Sequence, residues 1–268
     1  MQVTKIDGKT INFPQLRGSL AGLRYPVLAE IKYDGEFNYI VLKNKDLYTI
    51  NKYGTMRRDF PALNAIGELL DKLEVDSVVL VCEVYWNEGK LGALYELLSH
   101  KKDDDIKLCI FDIIELNGDN LKDYSLIDRK EILLDLKLGN TPRCLVCEDK
   151  TEVTMAFDST VSQGYEGIVV KALDGGFISG PCSWVKIKKK DRTDYPVVVI
   201  DSIKERIEVA VPTPMDTLGK IGKIHVGVKA PNRYKKHIKL GDMVTIEHQG
   251  VLKSGSLRHP VLIPKKGW

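Results

Sequence analysis

Two domains are predicted: an α+β domain on an antiparallel or mixed sheet over residues 1–192, then a small all-β barrel over residues 193–268. Three observations predict them. Runs rich in Val, Ile, Tyr and Phe, bounded by Gly, Asn and Asp, recur at 37–42, 47–51, 77–86, 107–114, 167–171 and 183–188. Helical spacing is mixed among these strands without a regular strand–helix–strand alternation, which favours α+β over parallel α/β architecture. Past a charged, polar run ending in proline, "KKKDRTDYP" (188–196), only short strand candidates remain.

The clearest helix is 61–73, "PALNAIGELLDKL", where Leu63, Ile66, Leu70 and Leu73 share a face and Pro61 suits a first turn. A second is expected over 126–138, with weaker signals at 90–100 and 151–163. In the last third, strand candidates fall at 197–203, 207–211, 223–228, 243–249 and 261–263, punctuated by Gly219, Gly222, Gly241, Gly250 and Gly255. Five short strands in so few residues fit a barrel of the oligonucleotide-binding (OB) type.

The 268 residues are 43% hydrophobic and 29% charged, ordinary values for a globular protein. No apolar run approaches the ~18 residues of a membrane span. The start, "MQVTKIDGKTINFPQL", lacks the basic and apolar blocks of a signal peptide, so an intracellular, cytoplasmic protein is expected. Five scattered cysteines, Cys82, Cys109, Cys144, Cys147 and Cys182, are then expected to be reduced thiols. Cys144 and Cys147 form a C-x2-C, but no second pair follows at metal spacing, which favours ordinary thiols over a zinc or redox site. Charge is unevenly spread: residues 192–268 hold 14 Lys and Arg against 7 Asp and Glu, and the remainder 26 against 30. A basic C-terminal part beside a near-neutral one points to an anionic polymer as partner, or to a solvated basic surface.

The stretch "AEIKYDGEFNYIVL" (29–42) sets Glu30, Lys32, Asp34 and Glu36 between apolar runs. Lys32 is either a solvated edge-strand residue or a nucleophilic amine, and an amine needs its proton removed before it attacks. Gly35 would let the backbone turn tightly behind it. In "WVKIK", alternation puts Lys186 and Lys188 on one face, opposite Val185 and Ile187. Two ammonium groups on one face suit an anion between them.

"IKYDG" is followed in order by "TINKYGTMRRDFPAL" (49–63), "VLVCEVYW" (79–86), "KLCIFDIIELNG" (107–118), "EGIVVK" (166–171), "WVKIKKKD" (184–191) and "GVLKSGSLRHPVLI" (250–263). In that order and spacing the chain resembles the ATP-dependent DNA ligases of the covalent nucleotidyltransferase superfamily, over residues 26 to 263. The resemblance implies a nucleotidyltransferase (adenylation) domain with antiparallel and mixed sheets and flanking helices, followed by an OB-fold barrel. It also implies that Lys32 attacks the α-phosphorus of ATP, expels pyrophosphate and carries AMP. Glu30 reads the adenine amino group, and Phe111 stacks on the ring. Asp34 orients the lysine or a metal, and Glu83 and Glu166 serve the ribose or the Mg2+ site. Lys171 closes the Glu166 strand. Lys186 and Lys188 hold the α-phosphate and are expected to lower the pKa of Lys32. Lys52 also serves the nucleotide, and Lys52, Lys189, Lys190, Arg192 and Arg258 face nucleic acid.

Several positions depart from the commonest family pattern. Phe37 stands where an arginine is usual, and Asn51-Lys52 replaces a Ser-Arg pair, keeping a cation but losing a bidentate fork. Pro181 and Cys182 occupy the place of a basic residue, and "VLIPKKGW" lacks the Arg-x-Asp-Lys ending of the last motif. The short lead before the first motif leaves no place for a helical DNA-encircling domain or a nicotinamide-binding one, so ATP is the expected donor. The expected partner is nicked double-stranded DNA, bound by a monomer. Two alternatives stay open: another superfamily enzyme, such as an RNA ligase or a capping guanylyltransferase, and a non-catalytic nucleic-acid-binding relic.

Overall fold

Alternating apolar residues turn much of the chain into strands, and the periodicity of 3.6 is confined to a few short segments. The structure is a computed structural model that describes residues 4–6, 9–11, 14–17, 20–94, 105–177, 180–201, 203–215, 221–252 and 254–268. Contacts divide the chain into two compact units, Met1–Ile187 and Lys188–Trp268, within the basic run where a boundary is expected.

In the first unit, β1 (Thr4–Ile6) and β2 (Lys9–Ile11) pair as an antiparallel ribbon. The next strands are β3 (Pro14–Arg17), β4 (Val27–Lys32), β5 (Glu36–Lys43), β6 (Asp46–Asn51) and β7 (Met56–Arg57). They are followed by β8 (Val78–Trp86), β9 (Ile106–Leu116), β10 (Asp119–Asn120), β11 (Cys144–Cys147), β12 (Gly167–Ala172) and β13 (Gly180–Lys188). One sheet has six strands in the order β10-β9-β8-β5-β6-β7, and the other five in the order β11-β4-β12-β13-β3. β4 pairs antiparallel with β11 and β12, whereas β13 and β3 run parallel, so the second sheet is mixed.

Among the described residues, three helices cover these sheets. In α1 (Pro61–Lys72), Pro61 opens the first turn, and Leu63, Ile66 and Leu70 are buried at helical spacing. Ser125 caps α2 (Leu126–Asp135) by accepting from the Asp128 N–H at 3.2 Å. Asp149 caps α3 (Lys150–Ser162) by accepting from Thr151 and Glu152. Glu152 closes the box by accepting from the Glu148 N–H. Ile40, Leu80, Cys82 and Ile110 on the outer face of the six-stranded sheet pack with Leu63, Ile66 and Leu70 of α1 and Leu133 of α2. Val27, Ala29, Ile168, Val170 and Val185 on the other sheet pack with Val153 of α3. Between the sheets lie Tyr39, Val41, Ile50, Val81, Ile114, Phe177 and Trp184, with Phe37 and Phe111 beside them.

The second unit holds β14 (Asp191–Ile200), β15 (Arg206–Met215), β16 (Ile221–Lys229), the short helix α4 (Asn232–Lys235), β17 (Met243–His248) and β18 (Val261–Leu262). The strands close into a barrel in the order β14-β15-β16-β18-β17. Val197, Ile207, Val209, Val228, Val244 and Ile246 fill it. All five strand candidates of this region correspond to observed strands.

C-x2-C lies on β11, where Cys144 is exposed and Cys147 buried. Positions three apart in a strand point to opposite faces, so the pair cannot close on one ion. The weak helical signal at 90–100 falls mostly outside the described residues, as do Gly219 and the side chain of Cys182. No helix among the described residues is long and apolar enough to cross a membrane.

Candidate active site

Lys32 ends β4, and the antiparallel register sets Gly167 of β12 opposite it, with Glu166 one residue further along. The Lys32 ammonium meets Glu166 Oε2 at 2.5 Å. From the other sheet, Glu83 lies opposite Phe37 on β8. Burial works against the charge on Lys32, but Glu166, then Glu83 and Asp34, outweigh it and hold the lysine above its ordinary range. This corrects the expectation that Lys186 and Lys188 depress it. Lys186 is exposed and Lys188 half-buried, and the charges that weigh most on Lys32 are carboxylates.

Glu83 is pushed up to about 7, mainly by burial and by repulsion from Glu166, with Lys32 pulling the other way. The folded protein therefore keeps a proton on Glu83 between its ordinary 4.5 and about 7, where the unfolded chain has released it. This group stabilises the fold near pH 5, and that contribution is lost as pH rises through 7. The urea midpoint of the wild type is expected to fall more between pH 5 and pH 8 than that of Glu83→Gln. Parallel curves would mean that Glu83 titrates as an ordinary carboxylate.

Asp34 is buried, and its role is partly architectural. Its Oδ2 accepts the Gly92 N–H at 2.7 Å, and its own N–H donates to Gly89 O at 2.8 Å. The Leu91 N–H donates to Gly164 O, two residues before Glu166, so the 87–92 loop ties the Lys32 strand to the Glu166 strand. Gly89 takes φ +66°, where a Cβ would lie 2.5 Å from the Tyr33 ring. Gly35 has no room either, since a Cβ there would stand 2.3 Å from Val84 O.

Among the described residues no three His, Cys, Asp or Glu side chains form a metal cage. Mg2+ needs none, because it keeps waters and takes one or two carboxylates plus substrate phosphates. Glu83 and Glu166, two hard oxygen donors acting on one ammonium, fit such an ion. Asp34, tied to Gly92, is the poorest of the three expected ligands.

Glu30 faces the same inter-sheet space and is almost fully buried. Its two oxygens pair with Lys130 of α2 and Lys171 of β12. Burial opposes the charge of Glu30, but these two ammonium groups outweigh it and hold the carboxyl below its ordinary range. Lys171 is itself buried, 4.6 Å from the Phe111 ring centre and 4.1 Å from that of Trp184. Phe111 also meets Phe37 edge-on at 5.6 Å. An aromatic wall beside a carboxylate flanked by cations offers a purine both a stacking surface and hydrogen-bonding groups. Sequence reasoning missed Lys130, because nothing local in "LIDRKEIL" marks one lysine of a helix as buried.

The expected nucleic-acid residues have different environments. Lys52 is exposed, its Nζ 4.8 Å from the Tyr53 ring centre. In the barrel unit, Lys190 and Arg192 both pair with Glu247, at 2.7 and 2.9 Å, and Lys189 meets Asp191 at 3.6 Å. Arg258 is not on the surface: it is 3% exposed, with its backbone bonded to Gly250 O and to the Gln249 N–H.

A nucleotidyltransferase (adenylation) domain with a half-buried lysine among carboxylates, joined to a closed five-stranded barrel, is the class this fold and site define. Residues 16–188 match the family model described as ATP dependent DNA ligase domain, and the chain belongs to that family. DNA ligase 1 of Arabidopsis thaliana is 28% identical over 196 residues, which take in 65% of this chain and 24% of that protein. A DNA ligase of Pyrobaculum islandicum is 24% identical over 199 residues, 69% of this chain and 34% of its own length. The chain thus spans about a quarter to a third of these relatives. Among solved structures, Pmar-Lig_PreS3 is similar over 96% of this chain and 68% of its own, with TM-score 0.72 and 20% identity. A Lig E DNA ligase, described as binding DNA with a minimal scaffold, is similar over 95% and 98%, with TM-score 0.69 and 14% identity. At such identities the structural likeness speaks for the fold.

Proposed function

We propose that the chain seals nicks in duplex DNA, as a monomer, through a lysyl-AMP intermediate and an adenylylated 5′-phosphate. The observation that carries this reading is Lys32 itself: a lysine in the inter-sheet cleft, ion-paired to Glu166 and within the field of Glu83. Lys32 rests as an ammonium and must lose a proton to attack. Glu83, poised near neutrality, takes it. The free amine then attacks the α-phosphorus of ATP, forming the P–N bond as the P–O bond to pyrophosphate breaks. Phe111 stacks on the adenine, and Glu30 accepts from its amino group through a lone pair that Lys130 and Lys171 leave open. Lys186 and Lys188 hold oxygens of the α-phosphate. With the proton on Glu83, Mg2+ would be held by Glu166 and would supply neutralisation of the phosphate charge. AMP then passes to the 5′-phosphate of the nick, and the 3′-hydroxyl displaces it. Lys52, Lys189, Lys190 and Arg192 contact the DNA backbone, the last two by exchanging Glu247 for phosphate, so binding weakens with salt.

The test is incubation with α-labelled ATP and Mg2+, a denaturing gel, and a chase with nicked duplex DNA. A labelled band that clears as sealed strand appears is the expected result. A band that clears only on nicked RNA would make the chain an RNA ligase. No band, from folded protein free of AMP, would overturn the enzymatic reading.

A further inference from the structure

A second polar cluster, outside the machinery above, lies where β5, β6 and β7 meet. Glu36 accepts from Asn51 Nδ2 at 2.6 Å and from Arg57 Nη1 at 2.6 Å. Asn38 Nδ2 donates to Glu36 O at 2.9 Å. Asn51 Oδ1 accepts the N–H groups of Tyr53 and Thr55, each at 2.9 Å. The Asn51 backbone bonds the same turn twice more, its N–H donating to Thr55 O and its O accepting from the Gly54 N–H. Asn38 and Asn51 are buried, and the side chains of Glu36 and Arg57 are 17% and 24% exposed.

This is far more than a hairpin turn requires. Gly54, at φ +82°, already supplies the backbone freedom. Burying two amides, a carboxylate and a guanidinium is costly unless every partner is in place, and the return is rigidity. What the network makes rigid is the 52–55 turn. That turn exposes Lys52 and, at 61%, Tyr53, with the ammonium over the ring. A cation beside an exposed ring suits one strand of nucleic acid, the charge meeting phosphate and the ring meeting sugar or base. Asn51 faces away from Ile50, whose side chain lies between the sheets. The mount is therefore on the face of the sheet opposite Ile50, and the turn it holds joins β6 to β7 at the sheet's edge. Phe37, packed against Tyr39 and Phe111, brings no charge to this edge.

We propose that Glu36, Asn51 and Arg57 are positioning residues that hold the 52–55 turn so that Lys52 and Tyr53 grip the 5′-phosphorylated strand of the nick. This deepens the ligase reading and rests on it. The two steps separate the roles. For Arg57→Ala and Asn51→Ala, sealing of nicked DNA by pre-adenylylated protein is expected to fall about tenfold, with lysyl-AMP formation within about twofold of wild type. Lys52→Ala should cause a similar fall, and adding Arg57→Ala to it should cost clearly less than the two losses taken separately, because the mount acts in part through Lys52. Arg57→Lys, which keeps one bond to Glu36, should restore most of the sealing. Equal losses in both steps, or independent losses in the double variant, would overturn the proposal. Should the wild type seal nothing, fluorescence anisotropy with a 5′-phosphorylated nicked duplex decides it. Unchanged affinity in Arg57→Ala and Asn51→Ala would sink the mount, and about tenfold weaker binding would uphold it while the ligase reading fails alone.

Discussion

Lys32→Arg is expected to yield a folded protein that takes no label from α-labelled ATP, a loss of about a thousandfold or more. The guanidinium keeps the positive charge beside Glu166, so the buried carboxylate retains a partner and the stability cost is small. It never deprotonates in a protein, so it has no lone pair to offer phosphorus. Lys32→Ala loses the label too, but for a mixed reason, since it also strips Glu166 and Glu83 of their counter-charge. A gel read beside a thermal melt separates the two. Labelling of Lys32→Arg at the wild-type rate would place the nucleophile elsewhere.

The largest stability effect is expected from an ion pair that borders the nucleotide pocket, next in sequence to Phe111 and Lys130. Arg129 of α2 and Asp112 of β9 are both 0% exposed and form a fork, Nε to Oδ1 at 2.8 Å and Nη2 to Oδ2 at 3.0 Å. Arg129 Nη1 also donates to Tyr124 O and Gly175 O, so one guanidinium joins the sheet, the helix and the segment after β12. Asp112→Ala leaves that cation buried without its carboxylate, at a cost of about 3–5 kcal/mol. For a unit of the size of Met1–Ile187 that is a fall in melting temperature of about 10 °C. Replacing both partners by apolar residues should cost clearly less than Asp112→Ala alone. A melt of Asp112→Ala within a degree or two of wild type would mean that water reaches the guanidinium after all.

Much of the fold was legible because burial in strands and short helices leaves a local trace. Leu63, Ile66 and Leu70 announce α1, and Val78–Val81 announce β8, from spacing and composition alone. Strand limits shifted where ladders outrun the apolar run: β14 begins at Asp191, in residues too polar to read as a strand, because its register with β17 holds them. The site was less legible. Placing Lys32, Glu83 and Glu166 together needs the pairing of β4 with β12 and of β5 with β8, which no local pattern encodes. The resemblance supplied those names without their partners. Lys130 and Lys171 on Glu30, Gly92 on Asp34 and Arg57 on Glu36 are long-range contacts between ordinary-looking residues. Arg258 misled for the opposite reason, since a basic residue in a polar turn reads as exposed and here is buried.

The barrel has a bearing on how the molecule comes apart. Its ladder closes on itself, and the apolar side chains inside it belong to none of the three clusters that hold the sheets. Each unit therefore has apolar cores of its own. Damage to Val209 or Ile246 opens a void in the barrel's core and in none of the other three clusters, and for a chain with more than one core a single free energy of unfolding is not a well-defined quantity. Selection can accordingly tune the two halves one at a time.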